Sequence, residues 1–431
     1  MNTTQPERHY DIIVVGGGFT GVAAAVAAAR LKKKVLLIEA SGCLGGAASQ
    51  ALVFPFMSYS TPMSDDPANP EKLILSRGFL TELVLDMDRT GAIINGTRFN
   101  TEELKLLLDR KVTEAGVDVL FHATLSGVSK TGNTLSAVSI VTKAGVLTFS
   151  ADRFIDCTGD ADLAVMAGVP TKLGRESDHL CQPMTLCFRV INVDKKRFFE
   201  SKPLMRELYK AWQEAGKTTN PRENILVFNY PVEGVIHFNT TRIVKLNPVD
   251  PFDLSRAEME ARKQVVELMT FFKENHVPGM ENAELLYTAP SIGVRESRML
   301  DGEYCLTGKD LIACTKFEDA IAAGNYDIDI HNPEGSGTSH YYFPHGTWYT
   351  IPYRTLLPKE KDCKNLLVAG RCISCDHEAQ ASIRIMPIVT TLGEAAGVAA
   401  SVSLDENAPV QQTTVKKIQK ILVGCGAFLG I

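Results

Sequence analysis

The sequence lacks the features of several protein classes. Its 431 residues contain no long polar, low-complexity or single-sign stretch, and its apolar and charged fractions are 45% and 22%. These fractions are typical of globular proteins, which excludes disordered and fibrous chains. The length corresponds to roughly three domains of about 150 residues, and a chain of this size buries roughly three quarters of its unfolded surface.

Basic charge is also scarce. Fifty acidic residues against forty-five basic ones give a net charge of -5, and no basic stripe is present. Proteins that bind nucleic acids concentrate lysine and arginine on one face. Nucleic acid is therefore not an expected partner.

Cysteine is too sparse for a secreted disulfide scaffold, with ten residues in the whole chain. This favours reduced thiols and a cytoplasmic location. The one close pair is Cys372 and Cys375, which could form a redox-active dithiol or half of a metal site. Buried, inert thiols are the favoured interpretation, and no metal site is expected because no further ligands lie nearby in the sequence.

A membrane span is not expected either, although Ile12 to Ala29 is a run of eighteen residues without a charge. Four glycines divide the run into a β-branched half and an alanine-rich half, which favours a strand, a turn and a helix. The flanks also lack the pattern of a signal peptide. Together with a second apolar run, Val35–Ile38, this predicts a β-α-β unit.

The turn in this unit has the G-x-G-x-x-G pattern, formed by Gly16, Gly18 and Gly21, and Glu39 ends the second strand. In dinucleotide-binding proteins such glycines allow a tight turn and close approach to a pyrophosphate, and the acid binds a ribose. A structural glycine turn with a chance acid is the alternative. Three later segments could hold the rest of a long cofactor: Gly45-Gly46, Gly159-Asp160 and Gly370-Arg371.

Further elements follow from periodicity and capping. We predict a helix over about 100–116 capped by Asn100, and a strand and β-meander over 117–154. We predict an antiparallel sheet over 225–245, and a helix to about Asn275 that starts at a capping box of Ser255 and Glu258. The segment 331–354 is predicted as a loop, 366–369 as a buried strand, and 387–403 as the last helix, opened by Pro387.

Several segments together resemble a known family: YDIIVVGGGFTGVAAAVAAAR, NTEELKLLLDRKVTEAGV, FIDCTGDADLAVMAGV, SIGVRESRMLDGEYCLT and LGEAAGVAA. The sequence resembles FAD-dependent oxidoreductases with a glutathione-reductase-type FAD domain, and more narrowly a bacterial FAD-oxidoreductase family whose substrates are mostly unassigned. The resemblance implies an α/β fold, with a three-layer Rossmann-like FAD domain and an inserted α+β substrate domain. The expected FAD-binding residues are Gly16, Gly18, Phe19, Thr20, Gly21, Glu39, Ala40, Gly45, Gly46, Gly159, Asp160, Gly370, Arg371, Ile385 and Met386.

The last two residues have an independent rationale. The N-terminus of the last helix, near Ile385 and Met386, would stabilise the negative charge of a reduced flavin by on the order of 1 kcal/mol. A plain packing helix is the alternative. The expected domains are a discontinuous FAD-binding domain of residues 1–50, 97–170 and 355–431, and a substrate domain of residues 51–96 and 171–354.

The sequence departs from the disulfide reductases of this fold. Ala47-Ala48-Ser49 stands where those enzymes carry redox cysteines, and a second G-x-G-x-x-G for NAD(P)H is missing. No closely spaced cysteines suit an iron-sulfur cluster. The electron acceptor is therefore left unidentified.

Oxidation of a carbon-hydrogen bond requires a base and a group that holds the substrate. His377 is the first candidate base, followed by His340 and His345. Arginines could anchor a carboxylate, although salt bridges between domains are an equal alternative: Arg295, Arg298, Arg354, Arg371 and Arg384. The predicted catalytic residues are His377, His345, Arg371 and Arg295.

Six aromatic residues lie between Tyr341 and Tyr353. They suit either stacking on a sugar-like or aromatic substrate or a homodimer interface. We expect an oxidoreductase that transfers hydride from a small organic substrate, sugar-like or carboxylate-bearing, to flavin N5. The alternatives are a flavin-dependent monooxygenase or halogenase, and a flavin-binding subunit without turnover.

Overall fold

The computed structural model describes residues 9–64 and 71–431. Residues 1–8 of the predicted first FAD-binding segment and residues 65–70 of the predicted first insertion lie outside the described residues. The helices are α1 (Phe19–Arg30), α2 (Phe79–Arg89), α3 (Thr101–Ala115), α4 (Asp162–Met166), α5 (Lys195–Glu200), α6 (Lys202–Glu214), α7 (Pro251–Glu274), α8 (Gly308–Ile312), α9 (His377–Ile383), α10 (Met386–Asp405) and α11 (Val415–Gly424).

The strands are mostly short. They are β1 (His9–Val15), β2 (Val35–Ile38), β3 (Ser60–Pro62), β4 (Lys72–Ile74), β5 (Ile93–Ile94), β6 (Arg98–Phe99), β7 (Asp118–Leu120), β8 (Thr124–Thr131), β9 (Thr134–Thr142), β10 (Gly145–Asp156), β11 (Thr171–Leu173), β12 (Phe188–Ile191), β13 (Val227–Asn229), β14 (Ile236–Phe238), β15 (Glu284–Thr288), β16 (Arg298–Leu300), β17 (Ala320–Gly324), β18 (Ile328–His331), β19 (Thr338–Tyr341), β20 (Tyr349–Pro352) and β21 (Leu366–Val368).

The central sheet is parallel over five strands, in the order β7-β2-β1-β10-β21. Its inner strands are almost continuously apolar because both faces are covered. Strand β10 is twelve residues long and belongs to two structures. Its first half pairs antiparallel with β9 in the β8-β9-β10 meander, and its second half pairs parallel with β1 and β21.

The carboxyl ends of these strands meet at one edge. Val15 is in register with both Ile38 and Asp156. Main-chain hydrogen bonds continue one residue further, from Gly16 N to Ile38 O at 2.8 Å and from Cys157 N to Val15 O at 2.8 Å. The loops that follow β1, β2, β10 and β21 therefore open at the same place, where open α/β sheets bind ligands.

Two helices that lie far apart in the chain pack closely beneath this edge. A Cβ atom on Gly393 of α10 would lie 2.1 Å from Thr20 O of α1, and one on Gly397 would lie 2.2 Å from Ala24 O. Only glycine allows the two backbones to approach this closely. Both helices are almost wholly buried, so α10, although apolar and long enough to cross a membrane, is a core helix here.

The first layer consists of α1, α3 and α10, the second of the parallel sheet, and the third of the β8-β9-β10 meander. One core lies between helices and sheet, around Val14, Val22 and Leu392, and another lies between sheet and meander, around Ile13 and Val138. This confirms the predicted α/β class and its three-layer Rossmann-like domain.

A third core lies in the predicted substrate domain. The sheet β13-β14-β12-β15 is antiparallel, and α6 and α7 pack on it through Trp212, Phe271 and Phe272. Strands β17 and β20, by contrast, contribute Ile321 and Ile351 to the core around α10. The predicted boundaries at 171 and 355 stay a prediction.

The predicted capping box is wrong. Helix α7 begins at Pro251, and the Asp250 carboxylate accepts hydrogen bonds from Phe252 N at 3.0 Å and Asp253 N at 2.9 Å. Ser255 lies inside the helix, where its hydroxyl donates to Pro251 O. An aspartate followed by proline at the first helical position is the stronger start signal.

Two further predictions need correction. The segment 331–354 is not a loop, because β19 forms a hairpin with β18 and β20 pairs with β17. The helix opened near Pro387 begins at Met386, extends to Asp405, and is followed by α11. The helix over 100–116, its Asn100 cap and the antiparallel pair in 225–245 are confirmed.

Candidate functional site

The first glycine turn is fixed by backbone contacts. Gly16 has a φ of 102°, and a Cβ atom there would lie 2.3 Å from Cys157 O. A Cβ on Gly21 would lie 1.8 Å from Gly16 O. Neither position accepts a side chain, so β1, α1 and the end of β10 meet as closely as the G-x-G-x-x-G pattern predicts.

The N-terminus of α1 has no side-chain cap. Gly18 is the N-cap residue and offers no capping group, and the first turn carries no acid. The second glycine turn lies against it, with Gly45 N donating to Gly17 O at 2.9 Å, and a Cβ on Gly46 would lie 2.9 Å from Gly18 Cα. The exposed amides and the helix dipole suit an anion such as a pyrophosphate.

Glu39 is held in place at the end of β2. Its Oε2 accepts a hydrogen bond from Gly17 N at 2.6 Å, and its Oε1 accepts one from Ser41 N at 2.7 Å. The side chain is half-buried and Ala40 beside it is exposed. Each carboxylate oxygen has a further lone pair, so Glu39 can also accept from the hydroxyls of a ribose.

The segment after β10 meets the segment after β21. Arg371 donates through Nη2 to Asp160 Oδ1 at 2.6 Å, and Ser297 donates to the same oxygen. A Cβ on Gly159, whose φ is 83°, would lie 3.0 Å from the Arg371 guanidinium carbon. The two predicted segments are thus joined by a charge-assisted contact, and Arg371 Nε is buried without a hydrogen-bond partner among the described residues.

The N-terminus of α10 is the second helix end without a side-chain cap. Its N-cap residue is Ile385, and no acid lies in the first turn. A Cβ on Gly370 would lie 3.2 Å from Thr20 Oγ1, which brings the end of β21 against the start of α1. Phe19 is buried and its ring packs on Phe56, and its predicted role in cofactor binding stays a prediction.

These residues fit an extended dinucleotide. Two uncapped helix ends offer amides to negative charge, Glu39 offers acceptors, and the glycines leave the backbone bare where the chain turns. Gly16, Gly18, Glu39, Asp160 and Gly370 all lie at the carboxyl edge of the parallel sheet. Binding of the cofactor by these individual residues stays a prediction.

His377 is held by a buried acid. Its Nδ1 lies 2.7 Å from Glu296 Oε1, and Glu296, which is wholly buried, accepts a second hydrogen bond at Oε2 from Gln182 N at 2.8 Å. A carboxylate only accepts hydrogen bonds, so Nδ1 carries a proton, and in the neutral imidazole Nε2 then keeps its lone pair. Nε2 has no hydrogen-bond partner within the described residues, which leaves it available to a ligand.

Two glutamines connect this histidine to the substrate-domain side. Gln182 Nε2 donates to Gln380 Oε1 at 3.1 Å, and Gln380 Nε2 donates to Arg295 O at 2.7 Å. Gln182 Oε1 accepts a hydrogen bond from His331 N at 3.2 Å. A continuous buried network therefore runs from His377 to the β18-β19 hairpin.

The hairpin carries a second polar group. His331 Nδ1 accepts from Arg242 Nη2 at 3.1 Å, and its Nε2 lies 3.4 Å from Asp329 Oδ2. Burial lowers the pKa of His331 well below its usual value, and the charge of Arg295 lowers it further. His340 lies opposite Asp329 in the hairpin, with Nδ1 2.6 Å from Asp327 Oδ2 and its ring stacked on Tyr342.

Four arginines converge beside this group. Burial lowers the pKa of Arg295 to about 9, and the charges of Arg384, Arg222 and Arg242 contribute to the shift. Burial, with the charge of Arg242, also lowers the pKa of Arg222 to about 10. These four residues, Arg222, Arg242, Arg295 and Arg384, are called the arginine cluster below.

The structure sorts the five arginines singled out in the sequence. Four of them form ion pairs: Arg298 with Asp162, Arg354 with Asp319, Arg371 with Asp160 and Arg384 with Asp329. Arg295 and Arg384 belong to the arginine cluster. His345 is exposed in the turn between β19 and β20, where the next residue, Gly346, donates to Thr61 Oγ1 at 3.0 Å, and the catalytic role of His345 stays a prediction.

The cysteine pair and the aromatic segment also have defined places. Cys372 and Cys375 are buried, and burial raises the pKa of both thiols, which disfavours the reactive thiolate. In the aromatic segment, Phe343, Tyr349 and Tyr353 are core residues, whereas Tyr342 is 71% exposed. Only part of that segment is therefore available to a substrate or a second chain.

Sequence reasoning missed Gln182, Arg222, Arg242 and Asp329. The last has a recognisable signal, because Asp327-Ile328-Asp329-Ile330-His331 alternates polar and apolar residues as a strand does. The alternation predicts that Asp327, Asp329 and His331 share one face. The other three carry no local pattern.

Comparison with solved structures finds many matches, including the following three. A geranylgeranyl bacteriochlorophyll reductase-like protein from Thermoplasma acidophilum is 14% identical, with 97% of this chain and 84% of that chain covered and a TM-score of 0.47. The flavin-dependent brominase Bmp2 is 12% identical, with 96% of this chain and 83% of that chain covered and a TM-score of 0.45. The p-nitrophenol 4-monooxygenase PnpA from Pseudomonas putida is 10% identical, with 96% of this chain and 84% of that chain covered and a TM-score of 0.45.

Comparison with curated proteins finds no matching sequence. A family model described as FAD dependent oxidoreductase matches residues 11–422. The match includes the two glycine turns, the segments after β10 and β21, the arginine cluster and His377.

Proposed function

Because this chain belongs to the FAD-dependent oxidoreductases, we propose that it is a dehydrogenase of a small organic substrate, with His377 as the base. When bound, FAD supplies the hydride acceptor, so a substrate oxidised here loses a hydride and a proton and gains a C=O or C=N bond. The proton of the hydroxyl or amine goes to His377 Nε2. An external acceptor then takes the electrons.

The His377–Glu296 contact carries this proposal. His377 is the first residue of α9, on the connection between β21 and α10. Both ends of that connection, Gly370 and Ile385, belong to the predicted cofactor-binding set. A base on this short connection is close in sequence to residues of the predicted cofactor-binding set. Glu296 stabilises the imidazolium that forms when the base takes up a proton.

Other residues hold the reactants. Glu39 binds the ribose, and the amides at the start of α1 bind the pyrophosphate. Asp160, fixed by Arg371, faces the ribitol side. Arg295, which donates to Pro183 O at 2.6 Å, is anchored to the backbone and can orient a substrate.

The test is anaerobic flavin reduction. The purified holoenzyme is mixed with alcohols, amines, hydroxy acids and sugars, and bleaching of the flavin band is followed by stopped flow. We expect one class to reduce the flavin, and we expect His377→Ala to slow that step by about 10²- to 10⁴-fold. Unchanged reduction by the variant would rule out His377 as the base.

The same experiment separates the other reaction types. If only an added nicotinamide reduces the flavin, and oxygen is then consumed in step with product, the protein is a monooxygenase or halogenase. If neither substrate nor nicotinamide reduces it, the chain is a flavin-binding subunit without turnover.

A further inference from the structure

The arginine cluster carries more positive charge than its surroundings neutralise. Arg242 Nη1 lies 3.4 Å from Glu223 Oε2, and Arg384 Nη2 lies 3.7 Å from Asp329 Oδ2. Arg222 and Arg295 have no ion pair with an acid among the described residues. Buried charges without a counter-charge are costly, so two guanidiniums of this cluster call for negative charge from outside the chain.

The hydrogen bonds of these two arginines lead to the same conclusion. Arg295 donates only to neutral groups, which are Pro183 O, the Thr185 hydroxyl and the Asn239 amide oxygen. Arg222 is 4% exposed and donates through Nε to Asn224 Oδ1, while its Nη1 is buried with no hydrogen-bond partner in the described chain. A buried donor of this kind is satisfied by a ligand or by water.

An unsatisfied acceptor belongs to the same group. Asp329 Oδ1 is buried without a hydrogen-bond partner among the described residues, with His340 Nε2 3.7 Å away, and Asp329 Oδ2 accepts from the Tyr326 hydroxyl at 3.1 Å. Arg242 links Asp329 to the segment of Arg222, because it contacts both Glu223, the neighbour of Arg222, and His331, whose Nε2 lies 3.4 Å from Asp329 Oδ2. The site thus offers a free donor on Arg222 and a free acceptor on Asp329.

We propose that the substrate is a small organic acid that carries a further hydroxyl or amino group besides the one that is oxidised, with its carboxylate held by Arg222 and Arg295 and this further donor directed to Asp329. The carboxylate supplies the missing negative charge and accepts from Arg222 Nη1. The further hydroxyl or amine supplies the missing donor, while the group that is oxidised faces His377. This names the substrate class of the proposed dehydrogenase and rests on that function.

The network toward His377 supports the assignment. Gln182 contacts both Gln380, whose amide is bonded to Arg295 O, and the backbone of His331 in the hairpin. Gln182 N is also bonded to the acid that holds His377. A ligand bound by the arginine cluster is therefore connected to the proposed base, His377, through hydrogen bonds of Gln380, Gln182 and Glu296.

The test measures binding under anaerobic conditions to the holoenzyme whose flavin has been reduced beforehand, so that the acids cannot be oxidised during the titration. Titration calorimetry compares racemic lactate and malate with the uncharged lactamide and malamide, and with inorganic phosphate. We expect each acid to bind at least about 10-fold more tightly than its amide, as a charge-assisted hydrogen bond does. Equal binding of acid and amide, no binding of either acid, or binding of phosphate alone would each overturn the proposal.

Matched variants locate the site. Arg222→Met should remove the preference for acid over amide, whereas Arg197→Met, an exposed arginine in the same domain paired with Glu281, should keep it. Should Arg222→Met fail to retain FAD, Asp329→Asn gives an independent measurement. It should keep the preference for acid over amide but weaken malate relative to succinate, which lacks the hydroxyl, and an unchanged ratio would contradict the role of Asp329.

Failure of this proposal and failure of the proposed function are distinguishable. If the acids bind but no hydroxy or amino acid bleaches the flavin, the dehydrogenase reaction is wrong and the ligand class stands. If a neutral substrate bleaches the flavin and no acid binds, the ligand class is wrong and the dehydrogenase stands.

Discussion

His377 Nδ1 lies 2.7 Å from the buried Glu296 Oε1, and this contact fixes which ring nitrogen faces away from the acid. We expect Glu296→Gln to slow flavin reduction by about 10-fold or more, because an amide no longer stabilises the imidazolium that forms on His377. The measurement is the rate of anaerobic flavin reduction by stopped flow. An unchanged rate would contradict this role of Glu296.

The start of α1 allows a test of cofactor binding without disturbing the fold. A Cβ on Gly18 would lie 3.8 Å from Gly46 Cα, an ordinary contact, and its φ of −66° suits alanine. Gly18→Ala should therefore fold, but its methyl group should reduce the FAD content because the pyrophosphate approaches the backbone here. FAD released on denaturation is quantified, with Gly424→Ala, where nothing lies within 4 Å, as the control. Full FAD occupancy in Gly18→Ala would show that the cofactor does not approach Gly18.

Glu394 makes stability depend on pH. It is buried in α10, accepts from Phe79 N at 3.1 Å, and burial raises its pKa to about 7. The folded state therefore binds a proton more tightly than the unfolded chain, and this stabilisation is complete below about pH 4.5 and lost as the pH rises through 7. The loss is on the order of 3 kcal/mol.

Glu394→Gln should remove this pH dependence, because an amide does not titrate. The hydrogen bond from Phe79 N is kept, since the amide oxygen still accepts it. The free energy of unfolding in urea is compared at pH 5 and pH 8, with the exposed Glu114→Gln as the control. We expect the stability of Glu394→Gln relative to the parent to rise from pH 5 to pH 8. A constant difference would show that Glu394 has no raised pKa.

The true start of α7 gives a stability prediction. Asp250→Ala removes two hydrogen bonds to the first turn and should lower the free energy of unfolding by about 1 kcal/mol. Ser255→Ala, which lies inside the helix, should change it by less than about 0.5 kcal/mol. Urea unfolding of both variants checks this, and an equal or larger loss in Ser255→Ala would restore the capping box predicted from the sequence.

Local features of the sequence predicted the conformation of the first β-α-β unit. Gly21 packs against Gly16, and Glu39 is bonded to Gly17 N and Ser41 N, so the spacing of these residues carries the information. The Asn100 cap is confirmed for the same reason. Binding of FAD by Gly16, Gly21 and Glu39 stays a prediction. At α7 two start signals compete within five residues, and the local pattern alone does not decide between Asp250 and Ser255.

The substrate side could not be predicted in this way. Arg222, Arg242 and Asp329 come from separate segments of the chain. Arg242 reaches the β18-β19 hairpin through its contact with His331, which in turn contacts Asp329. No spacing rule links such positions. In the aromatic segment a local pattern suggested a binding surface, but half of the rings pack in the core around α10.

Thr20 is contacted by both Gly370 and Gly393, which lie some 350 residues further along the chain. During synthesis on the ribosome, the first glycine turn emerges early but lacks these two contacts until almost the whole polypeptide has been released. The contacts around Thr20 are therefore complete only once α10 has been synthesised.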